Sequence, residues 1–394
     1  MANVSSSNGI EKFPELRFPN FSGPWKCVRI GDIYAERSER GAEGAELLSV
    51  TMTEGVKRRS DIEGKDNSSE DKGNYKVVCA GDMVYNSMRM WQGANGISPY
   101  NGIVSPAYTV LTPREKISNG FFAALFKTHV MISEFYRHSQ GMTSDTWNLK
   151  YPQIETIKTY IPPYDEQNKI SNFLELLNHK IDYQRRIVEL LKKYKRGVLQ
   201  NLFAPKEGKW YKQRFGDFFT EQNERTSETD RYPICSLTVE EGIILKPERY
   251  FREFLITKEG DSYKILRNGW FAYNPMNAHI GAIAPNRTGL DVCVSGYYNI
   301  FSVKNTSTTA FWEEFLKCYN MLCYYKVIAT GSLIEKQRVH YSQFVDIELP
   351  LPSIEEQTRT ASLIEVLNKK IRNAEFVLNH LQSLKTGIMQ KMFI

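Results

Sequence analysis

Apolar residues recur at alternating intervals of four and three along the stretch from residue 162 to residue 203. This spacing puts them on one side of an α-helix, in the a and d positions of a coiled coil. Neither glycine nor proline interrupts the pattern between Pro163 and Gly197, so we predict one helix of about 40 residues and about 60 Å. Its apolar seam consists of Ile170, Leu174, Leu177, Ile181, Val188, Leu191 and Val198.

The same pattern returns about 190 residues later, between residues 352 and 394, as an internal repeat does. A polar position recurs with it, because Lys195 returns as Lys385, and the glycine Gly197 returns as Gly387. A helix this long needs a partner to bury its seam. If a pseudo-two-fold axis relates the two halves of the chain, the helices pair in antiparallel orientation. The seam of the second helix consists of Ile364, Leu367, Ile371, Leu378, Leu381 and Ile388.

The segments before the two helices repeat as well. Each opens with a tryptophan that is followed by a Gly-Asp pair. Further on, the block 75–88 matches the block 263–276, and the alternation within both predicts a β-hairpin. The segments 120–137 and 309–327 each have one broad apolar face, so each is predicted to be a core helix.

These repeats predict an α+β fold with an internal pseudo-two-fold repeat, in which two similar globular α/β domains are separated by two long antiparallel coiled-coil helices. The predicted parts are a disordered N-terminal tail at 1–12, a first domain at 13–161, a first long helix at 162–203, a second domain at 204–351 and a second long helix at 352–394.

Composition agrees with a folded protein of two or three domains. Hydrophobic residues make up 41% of the 394 residues and charged residues 24%, which is near the average for globular proteins. No apolar run is long enough for a bilayer, and the N-terminus lacks the features of a secretory signal, so we expect a cytoplasmic protein without membrane contact. The net charge of +6 is compatible with a polyanionic partner. Six cysteines without a CxxC pair predict reduced, mostly buried thiols.

The sequence lacks the motifs of a catalytic site. An amino-methyltransferase needs Asn or Asp followed by Pro-Pro and an aromatic residue, but Pro162 and Pro163 follow Ile161, and Asn274-Pro275 lacks the second proline. A phosphate-binding GxxxxGK[ST] loop is absent, and the six histidines form no HExxH or HxxxH set. We therefore predict no catalytic residues, no cofactor and no metal in this chain.

The repeated motifs resemble those of the specificity (S) subunit of type I restriction-modification enzymes. The resemblance rests on PELRFP and the Trp-to-Gly-Asp opening, on IPPYDEQ and LPLPSIEEQ before the helices, and on repetition over nearly the whole chain. It implies that the two domains are target recognition domains, and that each reads one half of a bipartite site in double-stranded DNA. The helices then set the spacer between the half-sites.

The resemblance also implies the partners. Two adenine-N6 methyltransferase (M) subunits would dock on the helices, and restriction/translocase (R) subunits would join them. S-adenosylmethionine, ATP and Mg are then expected in the partner subunits. An alternative interpretation is a coiled-coil scaffold with two protein-binding modules and no DNA specificity.

Residues for DNA binding are expected in the polar loops, because Lys and Arg contact phosphates while Arg, Asn and Gln read base edges. Each could equally be a solvated loop residue, and Asn86 and Asn274 could be turn formers. The candidates in the first domain are Lys57, Arg58, Arg59, Asn86, Arg89, Thr143, Ser144 and Asn148. Those in the second are Asn274, Asn277, His279, Arg287, Lys336, Gln337 and Arg338.

The long helices carry more apolar residues than a single seam can bury, so some should contact a partner protein. The candidates for contact with the methyltransferase subunits are Phe173, Leu176, Leu190, Tyr194, Phe376 and Val377.

Overall fold

The computed structural model describes residues 11–41, 44–52, 54–66, 68–143, 146–204, 210–246, 263–331 and 337–394. The chain forms two compact units. Unit 1 comprises Met1–Arg185 and Phe376–Ile394, and unit 2 comprises Arg186–Glu375. The division passes through both long helices, so each unit contains one globular module and a pair of helix segments. Most of the predicted tail, residues 1–10, lies outside the described residues.

Module 1, the globular part of unit 1, has ten described strands and four short helices. The strands are β1 (Lys26–Arg29), β2 (Tyr34–Glu36), β3 (Leu48–Thr51), β4 (Gly55–Arg58), β5 (Lys76–Val78), β6 (Met83–Asn86), β7 (Asn95–Ile97), β8 (Gly102–Val104), β9 (Tyr108–Pro113) and β10 (Lys158–Ile161). The helices are α1 (Ile30–Ile33), α2 (Asn119–Leu125), α3 (His129–His138) and α4 (Tyr151–Ile154). The main antiparallel sheet has the order β2-β9-β6-β7.

The first long helix, α5, spans Tyr164–Leu202. Module 2, the globular part of unit 2, follows it. Its described strands are β11 (Tyr211–Arg214), β12 (Phe219–Gln222), β13 (Arg225–Thr226), β14 (Cys235–Thr238), β15 (Gly242–Leu245), β16 (Tyr263–Leu266), β17 (Phe271–Tyr273), β18 (Ile283–Pro285), β19 (Val292–Val294), β20 (Asn299–Val303) and β21 (Glu348–Leu351). Its helices are α6 (Thr309–Phe315), α7 (Tyr319–Ile328) and α8 (Tyr341–Val345). The second long helix, α9, spans Ile354–Met392.

The two modules share one topology, because the main sheet of module 2 has the order β12-β20-β17-β18, which repeats β2-β9-β6-β7. The central strand is buried on both faces. In β6, Met83 and Tyr85 face the core formed with α2 and α3, whereas Val84 faces a second core formed with the β3-β4 and β5-β8 pairs. In β17, Phe271 and Ala272 divide between two cores in the same way.

A repeated glutamine fixes the start of each long helix. The side-chain Nε2 of Gln167 donates to the carbonyl of Pro162, and that of Gln357 donates to the carbonyl of Pro352, both at 3.0 Å. The proline carbonyl lies just before the helix, and the glutamine side chain gives it a donor, which ties the preceding segment to the first turn. This contact explains the Pro-x-x-x-Glu-Gln motif.

The long helices pair in antiparallel orientation within each unit. In unit 1, Leu177 and Ile181 of α5 cluster with Leu378 and Leu381 of α9, while Ile170, earlier in α5, shares a core with residues at the end of α9. In unit 2, residues at the end of α5 share a core with residues near the start of α9. Among the seam residues, Leu191, Val198, Leu378 and Ile388 are half-buried, and the buried ones are Ile170, Leu174, Leu177, Ile181, Val188, Ile364, Leu367, Ile371 and Leu381.

The predicted hairpins at 75–88 and 263–276 are wrong. Strand β5 pairs with β8, whereas β6 pairs with β7 and β9, and the equivalent strands of module 2 also belong to different sheets. Between β5 and β6 the chain turns at Gly81, whose φ is +97°, and passes from one sheet to the other. The sequence alternation marks the strands correctly, but it carries no information on which strands pair.

The predicted core helix at 120–137 is also wrong in one respect, because it consists of two helices. Thr128 has extended backbone angles, and its hydroxyl accepts a hydrogen bond from the Met131 N–H, so it caps α3. Cys318 has equally extended angles between α6 and α7. One extended residue breaks the helix without disturbing the apolar periodicity, and for this reason the pattern did not predict the break.

The cysteines are free, but only Cys235 and Cys293 are buried, so the expectation of mostly buried thiols is wrong. Burial raises the pKa of both thiols to about 11. Among the described helices, none combines the length and the apolarity that a membrane span requires.

We expect Gly197→Ala and Gly387→Ala to stabilise the protein by about 1 kcal/mol each, because alanine favours a helix interior over glycine by that amount. A Cβ at either position would meet no atom within 4 Å. Thermal unfolding measures the effect. The control is Gly120→Ala in α2, whose Cβ would lie 2.0 Å from Oγ of Ser171 and should lower the melting temperature. A lower melting temperature for the first two variants would contradict the prediction.

Candidate nucleic-acid interface and helix surface

Three loops meet at one point of module 1. Ser87 joins them, because its N–H donates to the Ala107 carbonyl at 3.0 Å and its carbonyl accepts from the Leu149 N–H at 2.8 Å. The Ser87 hydroxyl also lies 2.9 Å from that of Thr109. We call the loops 86–94 and 105–107 and the described residues of 139–149 the loop cluster of module 1. Since main-chain groups close it, the exposed side chains are not needed to hold its shape.

Module 2 has the matching loop cluster, formed by 274–282, 295–297 and the described residues of 329–339. Pro275 occupies the position of Ser87, and its carbonyl accepts from the Val339 N–H at 2.9 Å. The guanidinium of Arg338 lies 5.8 Å from the ring centroid of Tyr297, which connects two of the three loops.

In both loop clusters a glycine shapes the backbone at the same position. Gly93 and Gly281 follow matched 3-10 helices, Met90–Gln92 and Ala278–Ile280. Their φ values of +83° and +93° lie in the left-handed region that favours glycine. The residues of the loops before these glycines differ between the modules, with Arg89 matched to Asn277 and Trp91 matched to His279.

The structure brings most of the candidate DNA-binding residues into these clusters. Asn86 and Asn274 also act as turn formers, because their side-chain oxygens accept hydrogen bonds from the N–H groups of Met88 and Met276 at 3.0 and 3.1 Å. Ser144 and Lys336 lie outside the described residues. The candidates within the clusters are Asn86, Arg89, Thr143, Asn148, Asn274, Asn277, His279, Gln337 and Arg338.

The basic run of module 1 lies on a different element, strand β4 and the turn after it. Lys57 pairs with Glu54 at 2.5 Å, and this bond raises the lysine pKa. Arg58 lies over the ring of Tyr100 at 4.7 Å. The Arg59 guanidinium donates to carbonyls of the following loop, among them that of Ile62 at 2.7 Å, so it holds that loop in place.

Arg287 in module 2 is engaged in ion pairs. Its guanidinium donates two hydrogen bonds to one carboxylate oxygen of Glu313, at 2.8 and 2.7 Å, and lies 3.0 Å from Glu365 of α9. These contacts connect α6, the end of β18 and α9 within unit 2.

Sequence reasoning missed an aromatic contact in the loop cluster of module 1. The Trp147 ring packs edge to face against Tyr136 at 4.7 Å and against Trp91 at 5.2 Å. The sequence signal for this contact was the presence of Trp91 and Trp147 at positions where module 2 has His279 and Gln337. The contact joins two loops of the cluster to α3.

The long helices expose apolar side chains outside their seam. Phe376 is 72% exposed, Leu176 69%, Leu190 64% and Tyr194 61%, and Val377 is exposed as well. By contrast, Phe173 is partly buried and packs edge to face against Phe18 of the same unit at 5.9 Å. The exposed apolar residues of the helices that the prediction omitted are Tyr183, Ile354, Leu363, Val366 and Leu384.

The described residues contain no group of three or more His, Cys, Asp or Glu side chains that could hold a metal ion.

Comparison with known proteins gives a consistent result. No known family profile matches the chain. A segment of 200 residues is 24% identical to the specificity subunit of the type I restriction enzyme MjaVIII of Methanocaldococcus jannaschii, and the match covers 49% of this chain and 45% of that relative. The chain thus matches about half the length of this curated relative.

Two solved structures match nearly the whole chain. The type I restriction-modification S subunit from M. genitalium has a TM-score of 0.60 at 11% sequence identity, covering 97% of this chain and 99% of that one. A chain from a study of complex assembly and conformational transition in a type I restriction-modification system has a TM-score of 0.55 at 16% identity, covering 94% and 97%. The predicted fold and the resemblance to S subunits are confirmed.

We expect Trp147→Ala to increase hydrogen exchange at the Gln140 and Asn148 amides, which bond to each other's carbonyls. Losing two edge-to-face contacts should cost about 1 to 3 kcal/mol locally, or roughly 5- to 150-fold in exchange rate. Trp147→Phe should retain most of the protection. Tyr319→Ala, which removes an aromatic residue that is 80% exposed on α7, is the control. Unchanged exchange in Trp147→Ala would show that the aromatic contact does not hold the loop.

Proposed function

We propose that this chain, which has the fold of type I restriction-modification S subunits, is the DNA sequence-specificity subunit of such a complex. Each module would read one half of a bipartite site in double-stranded DNA. The observation that carries the proposal is the repeated loop cluster. Both modules share the left-handed glycine after the 3-10 helix and the bond from the Leu149 or Val339 N–H to the opposite loop, while the polar side chains in the clusters differ.

A DNA site in two halves requires loops of similar shape in both modules but different side chains in those loops. Two half-sites of different sequence need the same approach to the DNA but different groups facing the base edges. At the matched positions, module 1 presents Arg89 and Asn148 where module 2 presents Asn277 and Arg338. Arginine and asparagine are the side chains that form bidentate hydrogen bonds with guanine and adenine. Lys57 and Arg58 would add phosphate contacts beside the loop cluster of module 1.

The helices would set the spacer and dock the enzymes. Each is a continuous helix of 39 residues that runs from one unit into the other. The exposed apolar residues Leu176, Leu190, Tyr194, Phe376 and Val377 would contact two adenine-N6 methyltransferase subunits, and restriction/translocase subunits would join the complex. This chain would then be non-catalytic, with S-adenosylmethionine, ATP and Mg bound by its partners.

The second candidate function is a coiled-coil scaffold whose modules bind proteins. The exposed apolar helix surface supports assembly under either function, so it does not distinguish them. The loop clusters do, because only a DNA-reading module has its half-site changed by substitutions there.

We expect Arg89→Ala to alter or weaken recognition of one half-site, and Asn277→Ala to affect only the other. Loss of one base contact should cost about 1 to 3 kcal/mol. The measurement is methylome sequencing of cells that express the chain with its methyltransferase subunits. Tyr319→Ala, on an exposed face of α7, is the control. If neither substitution changes the methylated sequence, and if binding to duplex DNA shows no salt dependence, the scaffold function is favoured.

We expect Leu190→Asp and Phe376→Asp each to weaken assembly with the methyltransferase subunit at least tenfold, because a carboxylate would be buried against an apolar partner surface. Size-exclusion chromatography of the mixed subunits measures assembly. Val327→Asp is the matched control, since Val327 is an apolar residue of α7 that is 81% exposed and lies outside the long helices. Equal assembly of all three variants would rule out this docking surface.

A further inference from the structure

The end of each long helix packs against a module in the same way. In unit 2, Phe203 after α5 contacts Phe311 of α6, with ring centroids 5.7 Å apart. In unit 1, Phe393 after α9 contacts Phe121 of α2 at 5.3 Å. The two phenylalanine pairs occupy matched positions of the repeat. Residues at the same sequence distance from the pair in unit 1 and in unit 2 can therefore be compared directly.

A lysine lies eight residues before each of these phenylalanines. In unit 2 it is Lys195, whose Nζ is 2.5 Å from a carboxylate oxygen of Glu314 on α6. The two side chains are only 18% and 21% exposed. The module thus provides a carboxylate that neutralises a lysine of the long helix at a partly buried position. The adjacent Glu313 binds Arg287, so α6 contributes two acids to this junction.

Unit 1 lacks both acids. The residues equivalent to Glu313 and Glu314 are Ala123 and Ala124, which pack against the apolar core. The lysine equivalent to Lys195 is Lys385, and it is half-buried, as is Lys127 two residues after the end of α2. Within the described part of the chain, neither lysine is found in a salt bridge or a side-chain hydrogen bond.

Burial disfavours the charged form of both lysines. Burial lowers the pKa of Lys127, and the positive charge of Lys385 lowers it further. Burial also lowers the pKa of Lys385, with Asp182 acting in the opposite direction. Asp182 also binds Arg185 at 2.6 Å, and the positive charge of Arg185 lowers the pKa of Lys385 further.

We propose that Lys127 and Lys385 form an acceptor site for a carboxylate of a partner protein, which takes the position that Glu314 has in unit 2. The inference rests on the proposed function, in which the partner is the methyltransferase subunit. A protein carboxylate is favoured because the equivalent site is filled by a glutamate carried on a helix. The site also adjoins the exposed apolar residue Leu384, so a protein surface that covers α9 would reach it.

The docking regions of the two units would then differ in how their lysine charges are paired. In unit 2, Glu314 pairs with Lys195 before any partner binds. In unit 1, the equivalent lysine Lys385 would gain its carboxylate only in the complex. Binding at unit 1 should therefore weaken more strongly with added salt, since an ion pair forms there on association.

The test uses the full chain and the purified methyltransferase subunit, with binding measured by calorimetry at low and high salt. We expect Lys127→Met and Lys385→Met each to weaken binding about tenfold, as loss of one charged hydrogen bond would. The same variants should raise the melting temperature of the free chain, because each removes a poorly solvated charge. A purely structural role would shift stability and binding in the same direction.

Ala124→Glu is the complementary variant, since it restores the acid that module 2 has. It should bind Lys385 internally, raise the melting temperature and weaken partner binding about tenfold. Lys385→Arg, which keeps the charge, should bind as the unmodified chain does. The matched control is Lys326→Met, which removes an exposed lysine of α7.

The binding results distinguish a failure of the carboxylate site from a failure of the proposed function. If the unmodified chain does not bind the methyltransferase subunit, the proposed function fails. If it binds and the lysine variants bind equally well, the carboxylate site is wrong. If the lysine variants keep partner binding but lose affinity for random duplex DNA, the site accepts a phosphate, and this too overturns the inference.

Discussion

The structure depends on the burial of one apolar stripe along each of two 39-residue helices. Neither helix could bury its stripe alone, and the antiparallel pairing within each unit does so at the seam around Leu177 and Leu381. At the end of each stripe the helix contacts a module through an aromatic residue, Phe203 or Phe393. The same apolar surface therefore pairs the helices and attaches the modules to them.

Much of this could be predicted from the sequence, because the pattern is long and occurs twice. Ile170, Ile181 and Ile364 are buried as the periodicity requires. The repeat also placed Asn86 and Asn274 at matched positions, because both follow a tyrosine in the matched blocks 75–88 and 263–276. A repeated pattern of this length predicts structure well, because many residues contribute to it.

The features that could not be predicted depend on tertiary contacts. The partner of β5 is β8, which lies about 25 residues away in the chain, and no local pattern specifies that pairing. The helix break at Thr128 depends on a single residue with extended backbone angles. In the same way, sequence alone could not show that Arg287 is bound by two carboxylates, or that the Trp147 ring connects neighbouring loops.

The main-chain closure of the loop clusters has a consequence for how such a protein can change. Leu149 and Val339 bond through their peptide groups to Ser87 and Pro275, so main-chain bonds connect the loops in both modules, beside the side-chain contacts of Trp147 and Arg338. Substitutions of tip residues that make no such contact should therefore leave folding nearly unaffected. Under the proposed function, a lineage carrying this scaffold could change the half-site that one module reads by a few substitutions, independently of the other module.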